Sequence, residues 1–451
     1  MSASGSPYLP RNPKFLIHRR HAAIGLPHTS LGFHSRKVAD GMACTPTTFL
    51  DGKGNHVRFA TAHAARSLGW ATTDLLLAWH LHSVVGFSGT TVSILLALFL
   101  STGALANLGV GILLTVRKAT GPDYVRVQLF GAIATAILFA GQFLVVDPVA
   151  VTVIAFAFRI VYAAQDVPQN ALGSLLPDDD SDAKRYARLR VVLSGVMRVV
   201  AVSVHLLLYR GAADVIAFAV IGGLNVASAI GLRGLRFPNR PSVRPTADEP
   251  ATSWPTGLPK LLLGFVVAAA VLPTMSRLLI FAPSSDGGML QAGGSMLTAF
   301  CVGSVAGPFA QRRLIDACGE RIALMTGIVV ILASAMLVTF GDGVPVRALA
   351  AAAHGAGLGI VGVHLWTSAA RVAMDDAASG IRRDGMVASA VILTTHVSMA
   401  AGALLLAPLI DSYEAGDPVA ALAALVIVAI GGIVLALTEL PLRRRIRPVA
   451  A

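Results

Sequence analysis

Charged and titratable side chains interrupt several long apolar runs of this sequence. In the stretch "AQDVPQNALG", Asp166 and Pro168 follow the apolar run "VAVTVIAFAFRIVYA" without a break. Further candidates inside such runs are Asp74, Arg159, Arg198, His205, Arg277, His354, His364 and His396. An ionised side chain at the centre of a bilayer costs about 3 kcal/mol or more, so it usually faces a cavity or a partner. These residues are therefore the first candidates for binding a solute or carrying a proton.

Asp166 is the strongest of these candidates because Pro168 follows it. A proline removes a backbone donor and frees a carbonyl, and irregular backbone inside a membrane is tolerated where it lines a water-filled cavity. We therefore expect Asp166 to face a wet crevice and to bind a substrate or an ion. Arg159 lies two helical turns earlier on the same face, so a structural ion pair with Asp166 is the alternative.

Three further residues have both a binding and a structural interpretation. His396 titrates near neutral pH and would suit proton exchange, or it is a neutral hydrogen-bonded histidine. Trp366, in "GIVGVHLWTSAARVAMDD", lies far enough inside its run to stack on a sugar ring in a cavity, or it packs between helices. Arg190 either reaches a site or extends to the inner edge of the membrane. His354 and His364 are expected to hydrogen-bond between helices.

The elements that position these residues are predicted to be membrane-spanning helices. The chain is 55% hydrophobic and only 13% charged, with a mean hydropathy of +0.70, whereas a soluble domain carries roughly 25% charged residues. A spanning helix needs about 20 apolar residues. Twelve runs qualify, near 66–85, 91–115, 124–146, 148–172, 190–209, 213–233, 258–282, 288–310, 322–341, 346–370, 386–409 and 418–439.

The positions of the charges that give the formal net charge of +12 predict the orientation of the chain in the membrane. Nearly all of the 36 Lys and Arg, Arg66 included, fall in segments on one side of the twelve runs, if the N-terminus is on that side. The exceptions are Arg159, Arg198, Arg277, Arg210 and Arg347. Because cytoplasmic loops carry the excess of Lys and Arg, both termini are predicted to be cytoplasmic in a multi-pass protein of the cell inner membrane. The lipid bilayer is thus a partner, and nucleic-acid binding is not expected.

The order of segments predicts two bundles. Residues 1–57 are expected to be a disordered cytoplasmic tail, 58–233 a six-helix bundle, 234–257 a Pro/Arg-rich cytoplasmic linker, 258–441 a second six-helix bundle and 442–451 a basic tail. This 6+6 arrangement is that of the major facilitator fold, an all-α membrane protein with substrate at the midplane. The loop "GPFAQRRLIDACGERIALMTG" resembles the cytoplasmic loop signature of that superfamily. A monomer is expected.

Other chemistries have no motif in this chain. Cys44, Cys301 and Cys318 are scattered without disulfide or metal spacing, so no metal site is predicted. No phosphate loop of the Gly-x-x-x-x-Gly-Lys type and no nucleophile–base constellation occur, so neither an ATP-driven pump nor an enzyme is expected, and no cofactor is implied.

Three stretches resemble the glycoside–pentoside–hexuronide:cation symporters, the melibiose permease-like family. They are "HSVVGFS" after span one, "QDVPQNALGSLLP" in span four and "AMDDAASGIRRDGMVASA" leading into span eleven. The resemblance implies that the fourth-span acid of the sugar site is Asp166 and the fifth-span arginine of that pocket is Arg190. It likewise implies that the tenth-span tryptophan is Trp366 and that His396 stands where the family has a lysine.

The chain departs from this family where the cation should bind. The first-span acid is replaced by Ser67, and the two second-span acids that supply sodium ligands are replaced by Gly103 and Asn107. A hard cation prefers anionic oxygens, so a proton is the more probable coupling ion than sodium. Asp74 follows Ser67 by two turns and is a candidate to replace the missing charge, with Asp166 and His396 as further proton sites.

The sequence therefore predicts a proton-coupled secondary transporter that takes up a sugar or a related small polar solute by alternating access. A proton-antiport exporter of a drug-like compound or secondary metabolite is the alternative. The third possibility is a membrane protein of this fold that transports nothing.

Overall fold

The computed structural model describes residues 47–208, 214–238, 255, 257–272, 289–378, 383–414 and 418–438. Within these ranges the chain forms twelve α-helices. They are α1 (Thr47–Trp79), α2 (Gly89–Val116), α3 (Gly121–Leu144), α4 (Pro148–Leu175), α5 (Asp180–Leu208), α6 (Asp214–Gly231), α7 (Leu258–Val266), α8 (Met289–Cys318), α9 (Glu320–Phe340), α10 (Val344–Ala378), α11 (Asp384–Glu414) and α12 (Pro418–Thr438). A π-helical turn, His80–Val84, extends α1, and another, Val267–Val271, extends α7.

Length and composition allow seven of the described helices to cross a membrane, and two shorter apolar helices accompany them. The predicted boundaries differ most at the first helix, because α1 begins at Thr47, inside the segment predicted to be a disordered tail. The remainder of that predicted tail, most of the 234–257 linker and the basic tail at 442–451 lie outside the described residues.

Each sequence half builds its own apolar core. In the first half α3 packs on α4 and α6, and α1 packs on α5, around a cluster that includes Leu77, Phe99 and Phe158. In the second half α8 and α9 pack on α10, and small residues allow the closest approach. A Cβ on Gly303 of α8 would overlap the carbonyl oxygen of Ala352 on α10, so only glycine fits there.

The two halves meet along two helix pairs, α2 with α11 and α5 with α8. Gly111 of α2 lies against Ser389 of α11, where an added Cβ would overlap the serine side chain. Gly195 of α5 lies against Ser304 of α8, where an added Cβ would be 2.9 Å from the serine oxygen. The helices α4, α5, α10 and α11 also touch across the interface, which places their polar side chains between the halves.

The helix α4 carries several candidate residues and stays helical through Pro168, which is buried. Asp147 caps its start by accepting a hydrogen bond from the backbone N–H of Ala150 at 2.8 Å. A Cβ on Gly131 of α3 would lie only 2.7 Å from the carbonyl carbon of Ala164, one turn before the proline. The expected water-lined irregularity at Pro168 is therefore not found: α3 packs directly on the backbone there.

Candidate functional site

Asp166 lies in a buried ion pair inside the first half. Arg66 of α1 donates a hydrogen bond from Nη1 to Asp166 Oδ1, and Asn170 donates from Nδ2 to the same oxygen at 3.0 Å. Asp166 is 4% exposed, so its carboxylate does not face the wet crevice predicted for it. The partner is also not Arg159, the arginine of the alternative prediction, because the nearer guanidinium belongs to another helix.

Arg66 was missed by the sequence analysis, which counted it among the inner charges at the start of span one. Because α1 begins at Thr47, Arg66 lies well inside the helix and is buried. His63, one turn earlier, connects it to α5. Its Nδ1 is 3.4 Å from Arg66 Nη2, and its Nε2 is 3.0 Å from Ser194 Oγ and 3.2 Å from the carbonyl oxygen of Arg190. The spacing of His63, Arg66 and Trp70 along one helix face is the signal that could have found this set.

Arg190 and Trp366 meet across the two halves. The guanidinium carbon of Arg190, on α5, is 3.2 Å from the centre of the Trp366 ring, on α10. Both line a cavity of about 30 Å³ that Asn170, the partner of Asp166, also lines. A cavity of this size holds a water molecule or two and not a sugar. Arg190 is buried, which excludes the alternative that it extends to the membrane edge.

A second cross-half centre surrounds Trp70 of α1, and we name it the Trp70 site: Trp70, Arg159, Tyr162 and His396. The guanidinium carbon of Arg159 is 4.5 Å from the Trp70 ring centre. The ring of His396, from α11, stacks parallel to Trp70 with a centroid distance of 4.9 Å, and Tyr162 is 5.2 Å away. Nε and Nη1 of Arg159 and Nδ1 of His396 are buried, and among the described residues none of the three has a hydrogen-bond partner.

The other residues considered for ion binding are Asp74, Asn107 and the position of Gly103. Asp74, one turn beyond Trp70, is exposed, and its charge acts on the Arg159 guanidinium. Asn107 is buried and its Oδ1 has no partner among the described residues. A Cβ on Gly103 would lie 3.7 Å from the Arg159 Cβ. Gly103 and Asn107 thus supply no carboxylate, and Gly103 lies against the aliphatic part of the Arg159 side chain.

The ends of the halves are joined by four charged side chains, which we name the inter-half cluster: Asp180, Lys184, Glu320 and Arg371. Arg371 donates to Asp180 at 2.5 and 2.9 Å and to Glu320 at 2.9 and 2.8 Å. Lys184 contacts the same two acids at 3.0 and 2.5 Å. The hydrogen bonds from Arg371 lower the pKa of Asp180 to about 2. The distribution of Lys and Arg along the sequence predicted both cations only as inner charges and gave no sign that they join the halves.

The other polar candidates have structural surroundings or lie outside the described residues. His354 is hydrogen-bonded as expected, with Nε2 3.0 Å from the carbonyl oxygen of Leu272 and Nδ1 3.1 Å from Ser334 Oγ. Arg198 is exposed. Arg277 lies outside the described residues, and the side chain of His205 is not among those described.

Solved structures share this architecture. A variant of the E. coli fucose:proton symporter FucP matches with a TM-score of 0.61 at 15% identity, over 85% of this chain and 98% of that one. The human organic anion transporter MFSD10 (TETRAN) matches with a TM-score of 0.64 at 14% identity, over 85% and 99%. A bacterial homologue of the iron transporter ferroportin matches with 0.61 at 13%, over 85% and 98%.

The chain has the major facilitator fold. The all-α class predicted from the sequence is thereby confirmed. No family model matches the chain. No curated protein is similar to it in sequence.

Proposed function

We propose that the protein is a secondary active transporter that moves a small solute across the cytoplasmic membrane by alternating access. One observation carries this proposal: Arg190 of one half lies over Trp366 of the other, beside a cavity between the halves. A binding centre whose parts come from both bundles changes its exposure when one bundle rocks against the other. The major facilitator fold of the neighbours is consistent with this motion.

The described conformation is closed at the predicted cytoplasmic end. There the inter-half cluster ties α5 to α9 and α10, and Ser174 of α4 donates to Asp384 of α11 at 2.9 Å. Phe59 and Tyr186 of the first half share an apolar cluster with Ile392 of the second. Opening toward the cytoplasm requires these contacts to separate, so the inter-half cluster acts as a gate.

Protons fit the interior better than sodium as the coupling ion. A sodium ion near Gly103 and Asn107 would have no carboxylate ligand and would approach the Arg159 guanidinium, which repels it. Protonation of Asp166 would instead remove the charge that holds Arg66 and free both side chains to rearrange. Asp166 is therefore our first candidate for the coupling site, with His396 and Asp74 as the others.

The resemblance to the melibiose permease-like symporters implies that the substrate is a sugar or a related polar solute, taken up together with the ion. In support, Asp166, Arg190 and Trp366 occur in one region of the structure, since Asn170 joins the ion pair to the Arg190 cavity. The exporter alternative is favoured by a different observation. Much of the cavity lining is apolar, from Phe59, Ala369, Ala370, Ala373 and Val387, which suits an amphipathic compound.

Transport by purified protein in liposomes tests the proposal. We expect accumulation of a solute, from a panel of sugars, small acids and amphipathic cations, to follow an imposed pH gradient and to ignore a sodium gradient. Asp166→Asn should abolish gradient-driven accumulation, and Arg198→Gln, an exposed arginine of α5, should not. Accumulation that survives Asp166→Asn unchanged, or that follows sodium, would contradict the coupling scheme. Transport of no solute under either gradient would favour a non-transporting protein.

A further inference from the structure

Among the described residues of the first half, the buried charges do not balance. Three guanidinium groups, those of Arg66, Arg159 and Arg190, lie inside the bundle, and one buried carboxylate, Asp166, neutralises one of them. Arg190 is stabilised by the face of Trp366 and is next to a water-sized cavity. Arg159 is the most deeply buried of the three and has no ion pair with any described residue.

The buried guanidinium of Arg159 is destabilising in the conformation described. Its side chain is 3% exposed, and two of its nitrogen atoms, Nε and Nη1, lack any acceptor within the described part of the chain. A buried charge is normally paired with an opposite charge, and the face of Trp70 gives Arg159 only a cation–π contact, so an anionic partner would stabilise it. Nε and Nη1 lie on opposite edges of the guanidinium plane, so a carboxylate can engage one of them together with Nη2, in the paired geometries that Arg371 uses with Asp180 and Glu320.

Among the described residues, Asp74 is the acid whose charge acts on Arg159, so it is the protein group that could compete for this role. It acts electrostatically on Arg159, but it is not within ion-pair distance, and its side chain is exposed. It therefore moderates the positive potential around Arg159 without occupying the free donors.

The surroundings of Arg159 describe the rest of the ligand. The Trp70 ring lies under the guanidinium and stacks on His396, and Tyr162 lies beside it, so aromatic surface surrounds the anchor and suits a ligand with an apolar body. His396, stacked on Trp70 from the opposite half, carries a third unpartnered atom, Nδ1. A ligand with a carboxylate for Arg159 and one further polar group for His396 would satisfy one of the two Arg159 atoms and the histidine atom, and would contact both halves at once.

We propose that the Trp70 site binds a small organic monocarboxylate, with Arg159 as the anchor of its carboxylate group. This inference rests on the proposed transport function and narrows its substrate class from polar solutes to organic anions. One negative charge neutralises one unpaired guanidinium, so the site suits a monoanion better than a neutral sugar or a cation.

The test compares each acid with its neutral amide. Purified protein in detergent is heated with benzoate, lactate or glucuronate, and in parallel with benzamide, lactamide or glucuronamide, while its unfolding temperature is followed. At least one carboxylate should raise that temperature in a concentration-dependent way, and its amide should bind at least about tenfold more weakly because the charge-assisted hydrogen bonds are lost. If no carboxylate raises the unfolding temperature more than its amide does, the inference is wrong. This comparison needs only the wild-type protein.

Variants then locate the site. Arg159→Gln should remove the preference for the acid over the amide, Arg159→Lys should keep part of it, and Arg198→Gln should keep all of it. If the preference survives in Arg159→Gln but disappears in Arg190→Gln, the anion binds at the Trp366 cavity and the assignment to Arg159 fails.

The outcome is separable from that of the transport proposal. Proton-driven accumulation of a neutral sugar that persists in Arg159→Gln would support the transporter and overturn the carboxylate site. Carboxylate binding that depends on Arg159, with no accumulation under any gradient, would support the site and overturn the transport function.

Discussion

The inter-half cluster and the Trp70 site both join the two halves, but their charges are arranged in opposite ways. In the inter-half cluster, Arg371 and Lys184 each contact both Asp180 and Glu320 at the partly exposed end of the bundle. In the Trp70 site, Arg159 is buried and two of its donors have no hydrogen-bond partner among the described residues. The first arrangement is complete without a ligand, whereas the second is not.

If the proposed function holds, this difference separates closing of the protein from binding of its ligand. Balanced charges near water can form and break as the halves move, because each partner is solvated when the pair opens. An unbalanced charge in the interior gains most from a ligand, because the low dielectric strengthens the new contact. The Asp166–Arg66 pair lies between these extremes: it is balanced, but it is buried and cannot be broken cheaply.

The largest effect is expected from breaking the Asp166–Arg66 pair. Arg66→Gln leaves the Asp166 carboxylate buried without its cation and should destabilise the protein by about 3–5 kcal/mol. The double variant Arg66→Gln with Asp166→Asn should recover much of this loss, because neither charge remains. Unfolding of the purified protein in detergent, measured for the two singles and the double, gives the coupling between the two positions.

Arg126→Gln is the matched control for this cycle. Arg126 pairs with Asp123 at 3.0 Å on the exposed part of α3, where an ion pair contributes about 1 kcal/mol or less. If the double variant Arg66→Gln with Asp166→Asn is no more stable than either of its single variants, the ion pair is not what holds these two side chains in place.

The contrast also explains how much could be predicted from the sequence. Apolar runs and the distribution of Lys and Arg predicted an all-helical membrane fold, because a bilayer imposes the length and polarity of every helix. The same rules misplaced Arg66, which was counted as an inner charge although it lies inside α1. Hydropathy shows which part of a helix is apolar, but it does not show where the helix begins. When a helix begins in polar sequence, a charged residue in its interior is therefore assigned to the preceding loop.

The partners of the buried side chains were the second feature that the sequence could not predict. Arg159 and Asp166 are two turns apart on one face, so their pairing was a reasonable alternative from the sequence, yet each side chain turns to a different neighbour, Trp70 and Arg66. These neighbours come from α1, and the packing of α1 on α4 is a tertiary property that no local spacing encodes. The partner of His396, the Trp70 ring, was unpredictable for the same reason.

A smaller effect is expected from weakening the inter-half cluster. Arg371→Gln removes the hydrogen bonds to Asp180 and Glu320, and because these groups are partly solvated the closed state should lose only about 1–2 kcal/mol. That loss corresponds to roughly a tenfold shift toward the form open at this end. Spin labels on Arg185→Cys and Arg321→Cys, both at exposed positions, would report it as a longer inter-label distance.

The native cysteines are replaced first, since Cys318 is exposed and would take the label. Arg126→Gln serves again as the control, because its ion pair lies within one helix and should leave the distance unchanged. An unaltered distance in Arg371→Gln would mean that the apolar contacts around Phe59 and Ile392 close this end without help from the charges.

The smallest effect concerns pH, and its direction follows from Asp180. Because Arg371 lowers the pKa of Asp180 in the closed form, the stabilisation from this contact is fully present above the ordinary aspartate pKa near 4 and is lost as the pH falls toward 2. The difference in inter-label distance between the wild type and Arg371→Gln should therefore be constant from about pH 5 to pH 8. Taking the difference cancels titrating groups that act equally in both proteins. A wild-type distance that changes in this range while the difference stays constant would place the proton-sensitive step in the interior, at Asp166 or His396, and a difference that itself changes would place it in the inter-half cluster.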